Sequence, residues 1–269
     1  MVTIVTSLYN IDREKLDGRN WETYLEWFKK TLAINSPMVV FVDSDTKEFV
    51  EINRIGKDTF IICEPIENAP YYDLKDSMDQ IIKSEDYKRK IKDPNRIECK
   101  SSLYNIIQYS KFGWVKKASE IDPFDSELYL WLDAGISRFF EDLGMETGSR
   151  YPGDLFLESI KDLTDEVYVQ MFMSNYPDLA NSTSLSEEYL LDNRSYVAGG
   201  IFMSSKKSIV KVKEEIDNVL KNMMLKNGFV NNEQIAVGYL IKKTPSLFRT
   251  FRNYSGIHKN YEILKQLNK

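Results

Sequence analysis

Two apolar spacings alternate along this chain. Residues 2–9, 38–42 and 59–64 are short runs rich in Val, Ile, Thr and Phe that stop at polar turns, which predicts buried strands. Between the first two runs, Trp21, Tyr24, Leu25, Phe28 and Leu32 recur at helical spacing behind Asn20, a plausible cap. Residues 71–96 predict a charged surface helix or two, and Leu103, Ile106, Ile107, Tyr109 and Phe112 predict another that runs toward Ala118. It leads into Leu-Tyr-Leu-Trp-Leu at 128–132, an apolar run of strand length that ends on Asp133, Ala134, Gly135 and a polar turn with Ser137 and Arg138. Beyond it, 167–173 and 196–203 read as strands, the second with Gly199 and Gly200 in its middle. Ile209, Val212, Ile216, Val219, Leu220 and Met223 form a helical stripe, and Asn231-Asn232-Glu233-Gln234 opens a last helix. Residues 12–19 and 141–154 read as loops, and 175–193 as irregular or partly helical.

Strands alternating with helices predict an α/β fold, with a mostly parallel central sheet flanked by helices, right-handed crossovers and ligands at the C-terminal strand ends. No repeat, heptad run or low-complexity tract interrupts the pattern, so residues 1–269 are expected to form a single domain. Composition changes little: 42% apolar and 29% charged residues suit an ordinary globular protein. A formal charge of −5 argues against generic nucleic-acid binding, so any phosphate site must be local. Cys63 and Cys99 stand apart from each other with no CxxC pairing, which predicts free thiols in a reducing compartment. No window is apolar for long enough to span a bilayer. The expected location is cytoplasmic, with peripheral membrane contact left open by composition.

The candidate chemistry gathers at predicted strand ends. Asp133 ends a buried strand, where open α/β sheets present ligand sites, although an Asp there also suits a simple turn cap. Arg13 and Arg19 follow the first strand and Lys111 precedes the fourth, so each could neutralise a diphosphate; lysines on helices are more often solvated. Glycines inside a strand, here Gly199 and Gly200, commonly mark the close approach of a ligand or another backbone. Glu233 opens a helix, either as a local response to the helix dipole or as a carboxylate aimed at a reacting hydroxyl. His258 is the one histidine of the chain. It is either an inert surface group or, with Asp133 and a diphosphate, part of a ligand set suited to Mn²⁺ or Mg²⁺. Asp43-Ser44-Asp45-Thr46 matches neither a haloacid-dehalogenase-like nucleophile loop nor a well-placed Asp-x-Asp motif, and Asp43 is read as nucleotide-contacting or turn-forming.

In combination, Val5-Thr6-Ser7-Leu8-Tyr9-Asn10, Trp131-Leu132-Asp133-Ala134-Gly135-Ile136-Ser137-Arg138-Phe139-Phe140, Ala198-Gly199-Gly200-Ile201-Phe202 and Asn232-Glu233-Gln234 resemble GT-A glycosyltransferases, and more closely the bacterial HtrL/YibB-type family, over most of the chain. That resemblance implies a single GT-A domain that transfers sugar from a nucleotide-diphosphate sugar, UDP-linked, to a glycan or other hydroxyl acceptor. Residues 1–140 would hold the donor, through Thr6, Ser7, Tyr9, Arg13, Arg19, Asp43, Lys111, Trp131, Ala134 and Gly135, with Lys259 joining from the tail. Residues 141–269 would supply the acceptor and catalytic half, with Gly199, Gly200 and Gln234 at the acceptor and Glu233 and Asp133 as catalytic groups. Asp133 and His258 would grip a divalent Mn²⁺ or Mg²⁺. One departure from the family pattern is plain: where an Asp-x-Asp pair has its second carboxylate, this chain has Gly135. A non-catalytic nucleotide- or sugar-binding protein, and a phosphatase using Asp43, are the competing readings.

Overall fold

Successive residues of a strand point to opposite faces, and here both faces are apolar. In β1 (Val2–Leu8), Val5 joins one core while Val2, Ile4 and Leu8 join another. The same division separates Val39 and Phe41 from Met38, Val40 and Val42 in β2 (Met38–Val42). This two-sided burial is why β2 reads as an unbroken apolar run and why the polar residues of β1, Thr3, Thr6 and Ser7, are small and buried. The computed structural model describes residues 1–140, 148–160, 166–172 and 185–253.

Between β1 and β2 come α1 (Arg13–Asp17), a short helix where the sequence predicted a loop, and α2 (Trp21–Leu32), capped by Asn20, whose side chain accepts from Thr23 N. After β2 the chain runs through α3 (Ser44–Asn53), β3 (Thr59–Cys63), α4 (Lys75–Lys83), α5 (Glu85–Lys90), α6 (Ser102–Ile121) and β4 (Leu128–Leu132). It continues with α7 (Asp154–Ile160), β5 (Val167–Phe172), β6 (Val197–Ser205), α8 (Lys206–Asp217), α9 (Glu233–Lys243) and β7 (Phe248–Asn253). The strand β7 was not anticipated; only Phe248 and Phe251 of its six residues are apolar, too little alternation to mark a strand.

Among the described residues the seven strands form one sheet in the order β3-β2-β1-β4-β6-β5-β7. The pairs β1 with β2, β1 with β4, β2 with β3 and β5 with β7 are parallel, while β6 runs antiparallel to both β4 and β5. The expected α/β architecture, a mostly parallel sheet flanked by helices, is therefore what the chain adopts. One core layer packs α6, α8 and α9 on the sheet, and the other packs α2, α3 and α7. Under the sheet the rings of Tyr9, Trp114, Trp131 and Phe202 stack in sequence, with centroids 5.6, 6.0 and 6.4 Å apart. No described helix is long and apolar enough to cross a membrane.

This topology fixes where a ligand site can form. From β1 the chain builds outward through β2 to β3, then returns to the opposite side of β1 with β4. The crossovers on the two sides leave a crevice outside the C-terminal ends of β1 and β4, the switch point at which open α/β sheets bind their ligands.

Candidate active site

That crevice is a cleft of about 240 Å³. The C-terminal end of β1 contributes Ser7 and Tyr9, and the segment around α1 contributes Arg13 and Arg19. Trp21 and Tyr24 come from the first turns of α2, and Tyr104, Gln108 and Lys111 from one face of α6 at successive-turn spacing. The floor is formed by Trp131, Asp133, Ala134 and Gly135 after β4, by Gly199 and Gly200 of β6, and by Glu233 and Gln234 at the start of α9.

At the centre of the floor two carboxylates share one ammonium. Lys111 Nζ lies 2.8 Å from Glu233 Oε1 and 3.1 Å from Asp133 Oδ1, and it also donates to Gly199 O at 3.0 Å. Lys111 and Glu233 are 2% and 3% exposed in their side chains, against 32% for Asp133, so the pair forms the deepest part of the cleft and Asp133 stands further out. Burial by itself disfavours the lysine's charge, but Asp133 and Glu233 more than offset it and hold the ammonium above its ordinary value. Burial likewise raises the Glu233 carboxyl, against the pull of Lys111. Asp133 Oδ1 accepts from Trp131 Nε1 as well, at 2.8 Å. The side chain of Asp133 is thus held across the sheet floor and does not cap its own turn, which closes instead through Ile136 N to Asp133 O.

Glu233 owes its place to the helix start. Asn232, not Asn231, is the cap, with Oδ1 accepting from Ile235 N at 3.1 Å. The Asn232 amide is in turn held by Glu98 Oε1 at 2.7 Å, and Glu98 is paired with Arg96 at 2.8 Å. Asn231 ties the same turn to the chain before β6 by donating to the carbonyls of Leu190 and Asp192. Glycine is required beside this turn: a Cβ on Gly199 would overlap Glu233 Oε1 and lie 2.7 Å from Gln234 Cγ.

Of the residues singled out from sequence, Ser7, Tyr9, Arg13, Arg19, Lys111, Trp131, Asp133, Ala134, Gly135, Gly199, Gly200, Glu233 and Gln234 all line the cleft. Several do so in a different capacity from the one expected. Lys111 donates to Gly199 O and Glu233 Oε1 and is ion-paired with Asp133, so it braces the two carboxylates. The space over Gly199 is filled by α9, so the close approach is that of another element of the chain. Gln234 donates to Val197 O at 2.6 Å and thereby pins α9 to β6. Thr6 is fully buried in β1 and does not line the cleft. Asp43 does not line it either; its carboxylate caps α3 by accepting from Thr46 N at 2.9 Å, the turn-forming role of the two expected for it. His258 and Lys259 lie outside the described residues.

The sequence reading passed over Trp21, Tyr24, Tyr104, Gln108 and Arg138 as wall residues. Tyr104 and Gln108 were discoverable, because they stand seven and three positions before Lys111 on one helical face. Arg138 lies in the turn that follows Asp133 and Gly135. As for metal ligands, no three His, Cys, Asp or Glu side chains cluster as an ion site among the described residues. Asp133 offers one oxygen, Oδ2, since both of its described contacts are made by Oδ1.

Comparison with known proteins places the chain among bacterial sequences. The profile of a family described as bacterial protein of unknown function (HtrL_YibB) matches residues 1–258. Protein HtrL of Escherichia coli strain K12 is 25% identical over 280 residues, covering 98% of this chain and 91% of that protein. Among solved structures, apo mouse xyloside xylosyltransferase 1 aligns with 93% of this chain and 84% of its own at 9% identity and a TM-score of 0.46. A glycosyltransferase involved in the glycosylation of the major capsid of PBCV-1 aligns with 98% of this chain and 88% of its own, at 11% identity and a TM-score of 0.40.

Proposed function

The chain belongs to the HtrL_YibB family, and on that footing we propose that it is a GT-A-type glycosyltransferase acting as one unit, which moves a sugar from a UDP-linked donor to a hydroxyl of a glycan or other acceptor. The observation that carries this reading is the convergence of Asp133 and Glu233 on Lys111 in the floor of a cleft at the switch point of the sheet. Such a cleft suits a nucleotide, and two carboxylates of unequal exposure suit two different tasks.

Glu233 is the general base. Burial raises its carboxyl above the ordinary value, which brings its basicity toward that needed to take a proton from an acceptor hydroxyl near neutral pH. Lys111 fixes the direction of that carboxylate and keeps it ionised against burial. Asp133 is the donor-side carboxylate, oriented by Trp131 Nε1. Its Oδ2 is a hard oxygen donor of the kind Mn²⁺ or Mg²⁺ accepts, and the family resemblance would add His258, outside the described residues, and the donor's own phosphate oxygens. An ion held there would act as a Lewis acid toward the departing nucleoside diphosphate. Trp21, Tyr24 and Tyr104 line the cleft as aromatic surface for the sugar or base.

The test is a thermal-shift screen of nucleoside diphosphates and nucleotide sugars with and without Mn²⁺, followed by donor-hydrolysis assays on whatever binds. A ligand at about a hundred times its Kd adds roughly 2.7 kcal/mol of apparent stability, which for a chain of this size is a rise of about 5 °C or more. Glu233→Gln should keep the shift and lose the hydrolysis. A wild-type protein stabilised by none of these compounds removes the proposal, and binding with no hydrolysis at all turns it into a binding protein.

A further inference from the structure

A side chain at position 135 would stand beside a cation. A Cβ built on Gly135 would lie 3.4 Å from Arg138 Nη1 and 3.1 Å from Trp27 Cε3. The Arg138 guanidinium is set there by two ring faces, its central carbon 5.4 Å from the centroid of Trp27 and 4.7 Å from that of Phe139. The turn that carries it is tied down, with Thr31 Oγ1 donating to Ala134 O at 2.8 Å and Ser137 Oγ to Trp27 O at 2.6 Å.

Lys111 and Arg13, two other cations of the cleft, are engaged, and Arg19 is held only loosely. Lys111 serves three protein oxygens. Arg13 is paired with Asp17, donates to Tyr24 Oη at 2.9 Å and lies over the ring of Tyr104. Arg19 leans on the same Asp17 carboxylate at 3.8 Å. Among the described residues Arg138 meets only ring faces and no carboxylate. A guanidinium lying on an aromatic face keeps its N–H fork at the edge, free to bind two oxygens of an anion such as a phosphate.

We propose that Arg138 binds the diphosphate of the donor beside Asp133, so that a fixed guanidinium supplies part of the positive charge that a cation held by two carboxylates would otherwise provide. This rests on the reading of the cleft as a nucleoside-diphosphate-sugar site. It also moves the anion-binding role from Lys111, Arg13 and Arg19 to a residue three positions beyond Gly135.

Calorimetric titration of the full chain with UDP and with inorganic pyrophosphate, each in Mn²⁺ and in EDTA, tests it. Arg138→Gln keeps the stem and a flat end on the rings but removes the charge, so its unfolding midpoint should stay near wild type. It should bind both ligands at least tenfold more weakly in both media. Arg138→Lys restores charge without the fork and should recover part of that loss, a rescue that a purely structural role would not give. Pyrophosphate should compete with UDP. Wild-type affinity in Arg138→Gln, or simultaneous binding of pyrophosphate and UDP, overturns the assignment of Arg138 while leaving the donor site standing. A wild-type chain that binds no nucleoside diphosphate in either medium overturns the donor reading, and this assignment with it.

Discussion

Replacing Lys111 by methionine tests the charge arrangement that the cleft is built on. Methionine keeps most of the stem volume and removes the ammonium, so a carboxylate that is 3% exposed loses its counter-ion at 2.8 Å. Stranding one member of a buried pair typically costs about 3–5 kcal/mol. Glu233 has an escape, because it can take up a proton, and the cost of doing so sets a ceiling. From an ordinary carboxyl value of 4.5, protonation at pH 7 costs about 3.4 kcal/mol, at about 1.4 kcal/mol per pH unit. The lost hydrogen bond to Gly199 O adds about 1 kcal/mol. Asp133, a third exposed, adds little because water reaches it. The expected loss is therefore about 4 kcal/mol at pH 7. The sign of its pH dependence follows from linkage. In the variant the folded-state carboxyl titrates above the unfolded one, so the folded state binds the extra proton and stability falls as pH rises between the two values. Urea unfolding at pH 7 and pH 5 should show about 2–3 kcal/mol regained at the lower pH, and adding Glu233→Gln at pH 7 should recover a similar amount. A loss under 1 kcal/mol with no pH dependence would show that the buried ammonium does not hold the pair.

Gly199→Ala should cost about 1–3 kcal/mol by urea unfolding and also displace Glu233, because the added Cβ overlaps that carboxylate and the start of α9; donor hydrolysis should fall with it. Asp122 predicts an acid-side effect: burial works against its ionisation, but Lys206, Tyr129 and the Ser126 N–H together bring its carboxyl down to about 2. Its contribution, about 1 kcal/mol after solvent screening, is present above pH 3.8 and lost as pH falls toward 2, so Asp122→Asn should flatten that part of the stability profile. Asp133→Asn should abolish the Mn²⁺-dependent part of UDP binding with the far-UV spectrum unchanged, and chelation of the wild type should weaken UDP binding to the same level; unaltered Mn²⁺-dependent affinity in the variant would remove Asp133 from the metal site.

What could be read in the sequence followed from burial on both faces. The strands β1, β2 and β4 supply apolar residues to both cores, and shortness, β-branched or aromatic content and polar flanks, not periodicity, mark such runs as strands. Asp133 was legible for the same reason, as the first charge after such a run. Lys111 was legible as a residue but not as a buried one, because lysines on helices are normally solvated. Its flanks carry the missed signal: Ser110, Phe112, Gly113, Trp114 and Val115 are all buried, so this helix has no solvent face at that turn. Asp43 misled because a carboxylate after a strand serves a helix cap as well as a ligand. Arg138 had only the adjacent Phe139 as a local sign, since the other ring it rests on, Trp27, comes from a helix more than a hundred residues earlier.

The direction of β6 was also hidden, and the site depends on it. Side-chain alternation is the same whichever way a strand runs, so the pattern could identify 196–203 as a strand but not orient it. A parallel strand next to β4 would bring its own C-terminal end to the cleft. Running antiparallel, β6 instead brings its first half there: Leu132 pairs with Ile201, and Asp133 N donates to Gly200 O. Gly199 therefore lies level with the carboxylate end of β4, where its missing side chain admits Glu233 from α9. Its carbonyl meets Lys111 from α6 at the same point. One reversed strand is thus what lets elements more than a hundred residues apart in sequence place an ammonium between two carboxylates, and the glycine that permits it is a position of packing before it is a position of binding.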